Sequence, residues 1–341
     1  MRAALPPPPE DDKVSDIMSE KKQPSIREGA QPPAPAQPHP RHEPLPWHHP
    51  KQPEDDPDAP GRVAAILASA SYGQADQDVD FLNRPDTRGV RLQLDYLKPE
   101  LLLEQHGIAH TIIVFGSTRI AEPPAAQRKV DRLRRALAEA PSDRERQQRL
   151  AIAERILARS RYYDVARELG RLVGNAGEGP ADSRVVIMTG GGPGIMEAAN
   201  RGAYDVGAKS VGLNINLPHE QYPNPYVTPD LCFRFHYFAL RKLHFLLRAR
   251  ALVAFPGGYG TFDELFETLT LVQTRKIKPL PLILVGEEYW RQAVDMDFLI
   301  DAGMVDPEDR DLFWFAETAQ EIWDGILNWY EASGEPLLAR A

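Results

Sequence analysis

The sequence predicts an α/β fold, a doubly wound parallel sheet flanked by helices and preceded by a disordered tail. Three observations predict it. Continuous apolar runs, among them Thr111–Phe115, Val185–Met188, Ala251–Phe255 and Leu280–Val285, have strand length but no polar alternation, as strands buried on both faces require. Segments of helical periodicity lie between these runs, the pattern of right-handed strand–helix–strand crossovers. Half of the chain's 32 prolines fall within residues 1–60, a segment without apolar periodicity that cannot bury enough surface to offset its ordering entropy.

The totals narrow the class. With 341 residues, 42% of them hydrophobic, the chain has material for one large or two modest cores. No apolar run reaches the length of a membrane span, and the start MRAALPPPPEDD lacks the apolar region of a signal peptide, so a cytoplasmic protein is expected. A single cysteine, Cys232, allows no internal disulfide and reads as a small buried residue in an apolar strand. The net charge of −9 argues against a nucleic-acid partner.

In chain order, residues 1–60 form the proline-rich tail. His39, His42, His48 and His49 lie in it without carboxylates or cysteines to fix a metal geometry, so no metal site is assigned. Residues 61–107 read as a helical preamble, with Leu92, Leu94, Leu97 and Leu101–Leu103 on an amphipathic run. The main domain spans residues 108–332 and a short tail 333–341. Thr111–Phe115 is its first strand, closed by Gly116-Ser117-Thr118-Arg119. One or two long helices are expected between Ala121 and Val173, broken near Pro141–Asp143; their many arginines are interleaved with acids at helical spacing and read as a solvated or subunit-facing surface. Val185–Met188 runs through Thr189-Gly190-Gly191-Gly192-Pro193-Gly194 into a helix at Ile195. Further elements follow: strands Ser210–Ile215 and Leu231–Phe235, helix Phe238–Arg248, strand Leu280–Val285 with helix Glu287–Asp301, then Phe313–Phe315 and helix Thr318–Tyr330.

The stretch Ala251–Leu271, ALVAFPGGYGTFDELFETLTL, organises the rest. A strand breaks at Pro256-Gly257-Gly258-Tyr259-Gly260, and Phe262, Leu265, Phe266 and Leu269 then mark one helical face. Thr261 and Glu264 have capping-box spacing, which places the helix start at Thr261. A strand, a glycine turn and a helix N-terminus collect free amides and the positive end of a helix dipole, a site for a phosphate. Glu264 and Glu267 stand about one turn apart on this helix. Neither glycine turn fits the dinucleotide fingerprint G-x-G-x-x-G, and G-x-x-x-x-G-K-[ST] is absent, which weakens NAD and P-loop readings.

Together, PGGYGTFDE and TGGGPGIMEAANRGA resemble the LONELY GUY (LOG) family, often labelled lysine decarboxylase-like. The resemblance spans about Ile108–Tyr330. It implies a Rossmann-like fold and hydrolysis of the N-glycosidic bond of nucleoside 5′-monophosphates, AMP or cytokinin ribotides, to free base and ribose 5-phosphate, with no cofactor and no metal. It puts the motif glutamate at Glu264 and the catalytic arginine at Arg241, beside Lys242. The phosphate-binding amides would come from Gly191, Gly192 and Gly194 and from Gly257, Gly258, Tyr259, Gly260 and Thr261, with the Thr261 hydroxyl. Ser117 falls in the family's first-strand loop, and Glu267 becomes a ribose or base contact. Tyr259 either stacks on a base or caps the turn; Glu197 either contacts substrate or complements its helix dipole. The family also implies a homo-oligomer, a dimer or larger.

The chain departs from the plant-type turn G-G-G-S-x-G-L-M-G: Gly192 stands at the serine and Glu197 at the final glycine, as in longer bacterial members. The departure weakens a cytokinin-specific expectation. A non-catalytic nucleotide or cofactor carrier on the same fold is the alternative, and the pairing of Glu264 with Arg241 favours catalysis. A decarboxylase would need a lysine forming a Schiff base with pyridoxal phosphate, and no lysine stands in a context for it.

Overall fold

The computed structural model describes residues 49–218 and 222–338. The chain divides into two units, residues 1–73 and 74–341. The tail expected at residues 1–60 lies outside the described residues as far as residue 48. Within the first unit, helix α1 (Ala59–Leu67) starts one residue after Asp58, with Pro60 in its first turn, where a missing amide hydrogen does no harm. It begins two residues inside the segment read as tail.

The second unit opens with α2 (Val79–Leu82), capped by the Asp78 side chain on the Phe81 amide, and α3 (Arg88–Gln105). Strand β1 (His110–Phe115) follows, then α4 (Pro123–Glu139), α5 (Arg144–Arg159) and α6 (Arg161–Gly174). Next come β2 (Val185–Thr189), α7 (Ile195–Asp205), β3 (Ser210–Ile215), β4 (Cys232–Phe235) and α8 (Phe238–Leu247). The chain continues through β5 (Ala249–Ala254), α9 (Tyr259–Gln273), β6 (Leu282–Val285), α10 (Glu287–Ala293), α11 (Met296–Asp301), β7 (Trp314–Ala316) and α12 (Ala319–Ser333).

The seven strands form one parallel sheet in the order β4-β3-β2-β1-β5-β6-β7. Alternate residues feed two cores. Ile112, Val114, Ile187, Val253 and Ile283 pack with Tyr163, Leu169 and Ala199 of α6 and α7 and with Ile322 and Ile326 of α12. Ile113, Phe115, Met188, Leu252 and Leu284 pack on the other face with Leu103 of α3, Phe245 of α8, Leu265 of α9 and Trp290 of α10. Covering both faces is what removes polar alternation from the strands.

Three details differ from the sequence reading. The Ala121–Val173 region holds three helices: besides the break before α5, where Asp143 caps the Glu145 and Arg146 amides, the chain turns at buried Ser160, whose hydroxyl donates to the Leu157 carbonyl. That turn lets α6 bury Tyr162, Tyr163, Ala166 and Leu169. The helix expected over Glu287–Asp301 is two, because Val294 is extended and Asp295 caps the Phe298 amide at 2.9 Å. Helix α9 begins at Tyr259, not Thr261, with Gly258 as a cap that lends no side chain. A capping box is found instead at Thr318 and Glu321, opening α12.

On α5 and the adjoining helices the arginines are partly matched: Arg134 pairs with Glu154 at 2.7 Å and Arg146 with Asp143 at 3.2 Å. Cys232 is a free thiol in β4, and burial raises its pKa. Among the described residues no helix is long and apolar enough to cross a membrane.

Candidate active site

The strand order reverses between β1 and β5, and the chain leaves both strands there on the same edge. In such sheets that crevice receives ligands. The two exits are tied together: the Phe255 amide donates to the Phe115 carbonyl at 2.8 Å and the Ser117 amide to the Pro256 carbonyl at 3.0 Å. A cleft of about 880 Å³ opens above them, bordered by Ser117, Thr118, Arg241, the Gly257–Thr261 turn and Glu264.

The turn after β5 supplies donors. The amides of Gly258, Tyr259 and Gly260 find no protein acceptor among the described residues, whereas the Thr261 amide is spent on the Gly258 carbonyl at 2.9 Å. The Thr261 hydroxyl, also without a protein partner, packs against Gly257. Tyr289 donates its hydroxyl to the Gly257 carbonyl and so fixes the turn from below. The positive end of α9 thus faces the cleft with unused donors. Tyr259 stands on the rim, 97% exposed.

The turn after β2 plays a different part. Its Gly191 amide donates to the Thr189 hydroxyl at 2.9 Å, and Asn224 holds the Gly191 and Gly192 carbonyls from its backbone and side-chain nitrogens at 2.8 and 3.0 Å. Buried Asn200 completes the set, accepting from Thr189 at 2.7 Å and donating to Ser210 at 3.0 Å. Gly194 has φ of 75°, and a Cβ there would lie 2.4 Å from the Ser117 carbonyl oxygen. Gly191, Gly192 and Gly194 are not among the residues that border the cleft; Gly194 packs against Ser117 and Thr118, and the neighbouring Gly190 against Arg241, all three of which do.

Arg241 projects from α8 and is held on three sides. Its Nε donates to the Leu213 carbonyl at 2.8 Å, its guanidinium lies 5.1 Å from the Phe245 ring centroid, and Nη2 rests against Gly190. Burial lowers its pKa, and Glu264 and Asp263 oppose that shift.

Glu264 is 7% exposed on the second turn of α9. Its carboxyl oxygens take no hydrogen bond among the described residues, so it does not fold back to cap its own helix. Burial raises its pKa to about 7, against the pull of Lys242 and Arg241. A carboxyl whose pKa is raised toward neutrality in this way is suited to proton exchange with water or substrate.

Two expected substrate contacts are engaged with each other. Lys242 binds Asp263 at 2.8 Å and Glu267 at 2.7 Å, and neither Lys242 nor Glu267 borders the cleft. Glu197 accepts from the Tyr163 hydroxyl at 2.9 Å, also away from the cleft. The sequence reading left out Arg119, Phe238 and Val294, all on the cleft wall. Phe238 stands one helical turn before Arg241, a spacing that could have revealed it; Val294 comes from the other side of β6 and carried no local signal.

Residues 196–326 match the family model described as "Possible lysine decarboxylase". The chain is 28% identical over 149 residues to the "Probable cytokinin riboside 5'-monophosphate phosphoribohydrolase LOGL3" of Oryza sativa subsp. japonica, covering 41% of this chain and 67% of that protein. Over this region the chain is similar to the LOG family. Another LOG protein, "Cytokinin riboside 5'-monophosphate phosphoribohydrolase LOG3" of Arabidopsis thaliana, is 27% identical over 169 residues, 48% of this chain and 74% of its own. The X-ray structure of TM1055 covers 64% of this chain and 98% of its own at 20% identity and a TM-score of 0.38. Lys242, which follows Arg241 on α8, is held in two ion pairs, a poor start for the Schiff-base chemistry that the family model's description suggests.

Proposed function

We propose that the protein hydrolyses the N-glycosidic bond of nucleoside 5′-monophosphates, of AMP or cytokinin riboside monophosphate type, to free base and ribose 5-phosphate. The observation that carries this reading is Glu264: a buried carboxyl without a protein hydrogen bond, beside Arg241, on the wall of a cleft whose neighbouring edge is a helix N-terminus with unused amides.

The phosphate lies at the start of α9, on the Gly258, Tyr259 and Gly260 amides and the Thr261 hydroxyl. That anchor sets the anomeric carbon over Glu264. As the C–N bond breaks, positive charge grows on the ribose ring, and the carboxylate stabilises it. Glu264 also takes a proton from the attacking water; oxygen bonds to the anomeric carbon, the bonding pair of the C–N bond leaves with the base, and the departing base takes up a proton from solvent, to which Glu264 later returns its own. Arg241, fixed by Leu213 and Phe245, orients the carboxylate or the ribose hydroxyls through its planar fork.

The relatives' names support the reaction type; this chain's own site supports the assignment of roles. The test is to incubate purified protein with AMP and other nucleoside monophosphates and to assay free base and ribose 5-phosphate. Turnover that falls at least about 10²-fold in Glu264→Gln is expected. Tight nucleotide binding with no turnover in the wild type would leave a carrier in place of an enzyme.

A further inference from the structure

A second groove, of about 280 Å³, shares Ser117, Arg119 and Gly257 with the catalytic cleft. Its far wall is α5, which brings Arg155 and Arg159 one turn apart on one helical face. Arg119, Arg155 and Arg159 thus converge on one small space. Among the described residues none of the three has a carboxylate within ion-pair distance, although acids nearby are taken by other arginines: Glu154 by Arg134 at 2.7 Å and Glu317 by Arg161 at 3.0 Å.

This is unusual in a chain with 49 acidic and 40 basic side chains. Like charges one turn apart weaken a helix; Arg159, in the last turn of α5, complements the helix dipole, whereas among the described residues Arg155 has no ion pair to offset the repulsion. Arg159 lies over the Tyr289 ring, 5.9 Å from its centroid, and Tyr289 binds the Gly257 carbonyl. One aromatic side chain therefore joins the arginine groove to the turn that presents the α9 amides.

We propose that this groove is a second anion subsite, built for a phosphate group adjoining the one at the α9 N-terminus. Arginine forks suit phosphate oxygens, and a doubly charged group relieves the repulsion among three guanidinium groups. The phosphate comes from one of two sources: the second phosphate of a nucleotide whose first phosphate occupies the α9 site, which rests on the function proposed above, or a free phosphate or pyrophosphate ion.

Isothermal titration calorimetry on the full chain separates these, with AMP, ADP and inorganic pyrophosphate as probes and Arg155→Ala/Arg159→Ala as the variant. Both side chains lie outside the catalytic cleft, and alanine preserves the helix. For a nucleotide source, ADP binds the wild type about tenfold more tightly than AMP, and the variant loses that advantage while its AMP affinity is unchanged. For a free ion, pyrophosphate binding weakens about tenfold in the variant and the ADP to AMP ratio does not move. If the variant binds all three probes as the wild type does, the subsite is refuted. Arg155→Lys/Arg159→Lys, which keeps the charge and loses the fork, should fall between. AMP hydrolysis assayed on the same samples keeps the two proposals apart: wild type that binds AMP without turnover defeats the hydrolase reading, yet leaves the groove result intact.

Discussion

Gly190 and Arg241 are in contact across the sheet edge: a Cβ built on Gly190 would lie 2.7 Å from the Arg241 Nη2 and 3.0 Å from the Met196 sulfur. Gly190 does not have a positive φ. The residue is needed for space, not for backbone freedom. Gly190→Ala should therefore fold with little loss of stability, since the Met196 end is flexible, and push the guanidinium from its seat. A displacement near 1 Å at a positioned group can lower turnover about 10²-fold. Steady-state kinetics with AMP beside a thermal melt would check this; near-wild-type turnover would mean that the seat of Arg241 is not critical.

The raised pKa of Glu264 gives two pH effects. In the proposed role the carboxylate is the active form, so kcat/KM should rise with pH through an inflection near 7, and Glu264→Gln should lose the inflection along with activity. Stability runs the other way. Because the folded pKa of about 7 lies above the ordinary 4.5, the fold favours the protonated group: its contribution is fully present below about pH 4.5 and lost as pH rises through 7. The loss is of the order of 3 kcal/mol at most. Glu264→Gln should accordingly melt higher than the wild type at pH 8 and alike at pH 4.5, in buffers matched for salt.

How much of this was legible beforehand follows from where each signal resides. Strands buried on both faces print themselves as unbroken apolar runs, so β1, β2, β3 and β5 were placed within two residues. The start of α9 was misplaced because Thr261 and Glu264 have capping-box spacing, while the true cap, Gly258, has no side chain to read. The break at Ser160 was invisible, since it lies within a continuous amphipathic stretch and depends on α6 turning into the core. Glu264 and Arg241 could be named from motifs. The ion pairs of Lys242 with Asp263 and Glu267 could not, because they join α8 to α9 across more than twenty residues.

Those ion pairs give Lys242 a role through Glu264. After burial, Lys242 is the largest influence on the Glu264 carboxyl and acts to lower its pKa. Lys242→Met keeps the length of the side chain and removes the charge. The inflection in kcat/KM should then move above 7 with KM for AMP little changed. If Lys242 instead binds substrate, KM would rise and the inflection stay in place.

The donors at the start of α9 make the phosphate the main handle on the substrate. Adenosine should be a poor substrate beside AMP, by about 10²-fold or more in kcat/KM, since it forgoes several charge-assisted hydrogen bonds. Thr261→Val preserves the side-chain volume against Gly257 and removes the one hydroxyl, so it should lower kcat/KM for AMP about tenfold and leave adenosine unaffected. Equal rates on the two substrates would place the phosphate elsewhere.

Asn200 is the buried hub beneath all of this. It is fully shielded from solvent, accepts from Thr189 and Asn224 and donates to Ser210, and through Thr189 and Asn224 it holds the Gly191 amide and the Gly191 and Gly192 carbonyls. Asn200→Ala strands several buried polar groups at once, which should destabilise the domain by about 2–4 kcal/mol in urea unfolding. Asn200→Leu restores volume and not the hydrogen bonds, so it should be no better if the network is what matters; recovery in the leucine variant would assign the loss to packing alone. Because the same turn seats Gly190 against Arg241, the folded fraction of either variant should also turn over AMP more slowly, whereas a fault confined to stability would leave the rate per folded molecule unchanged.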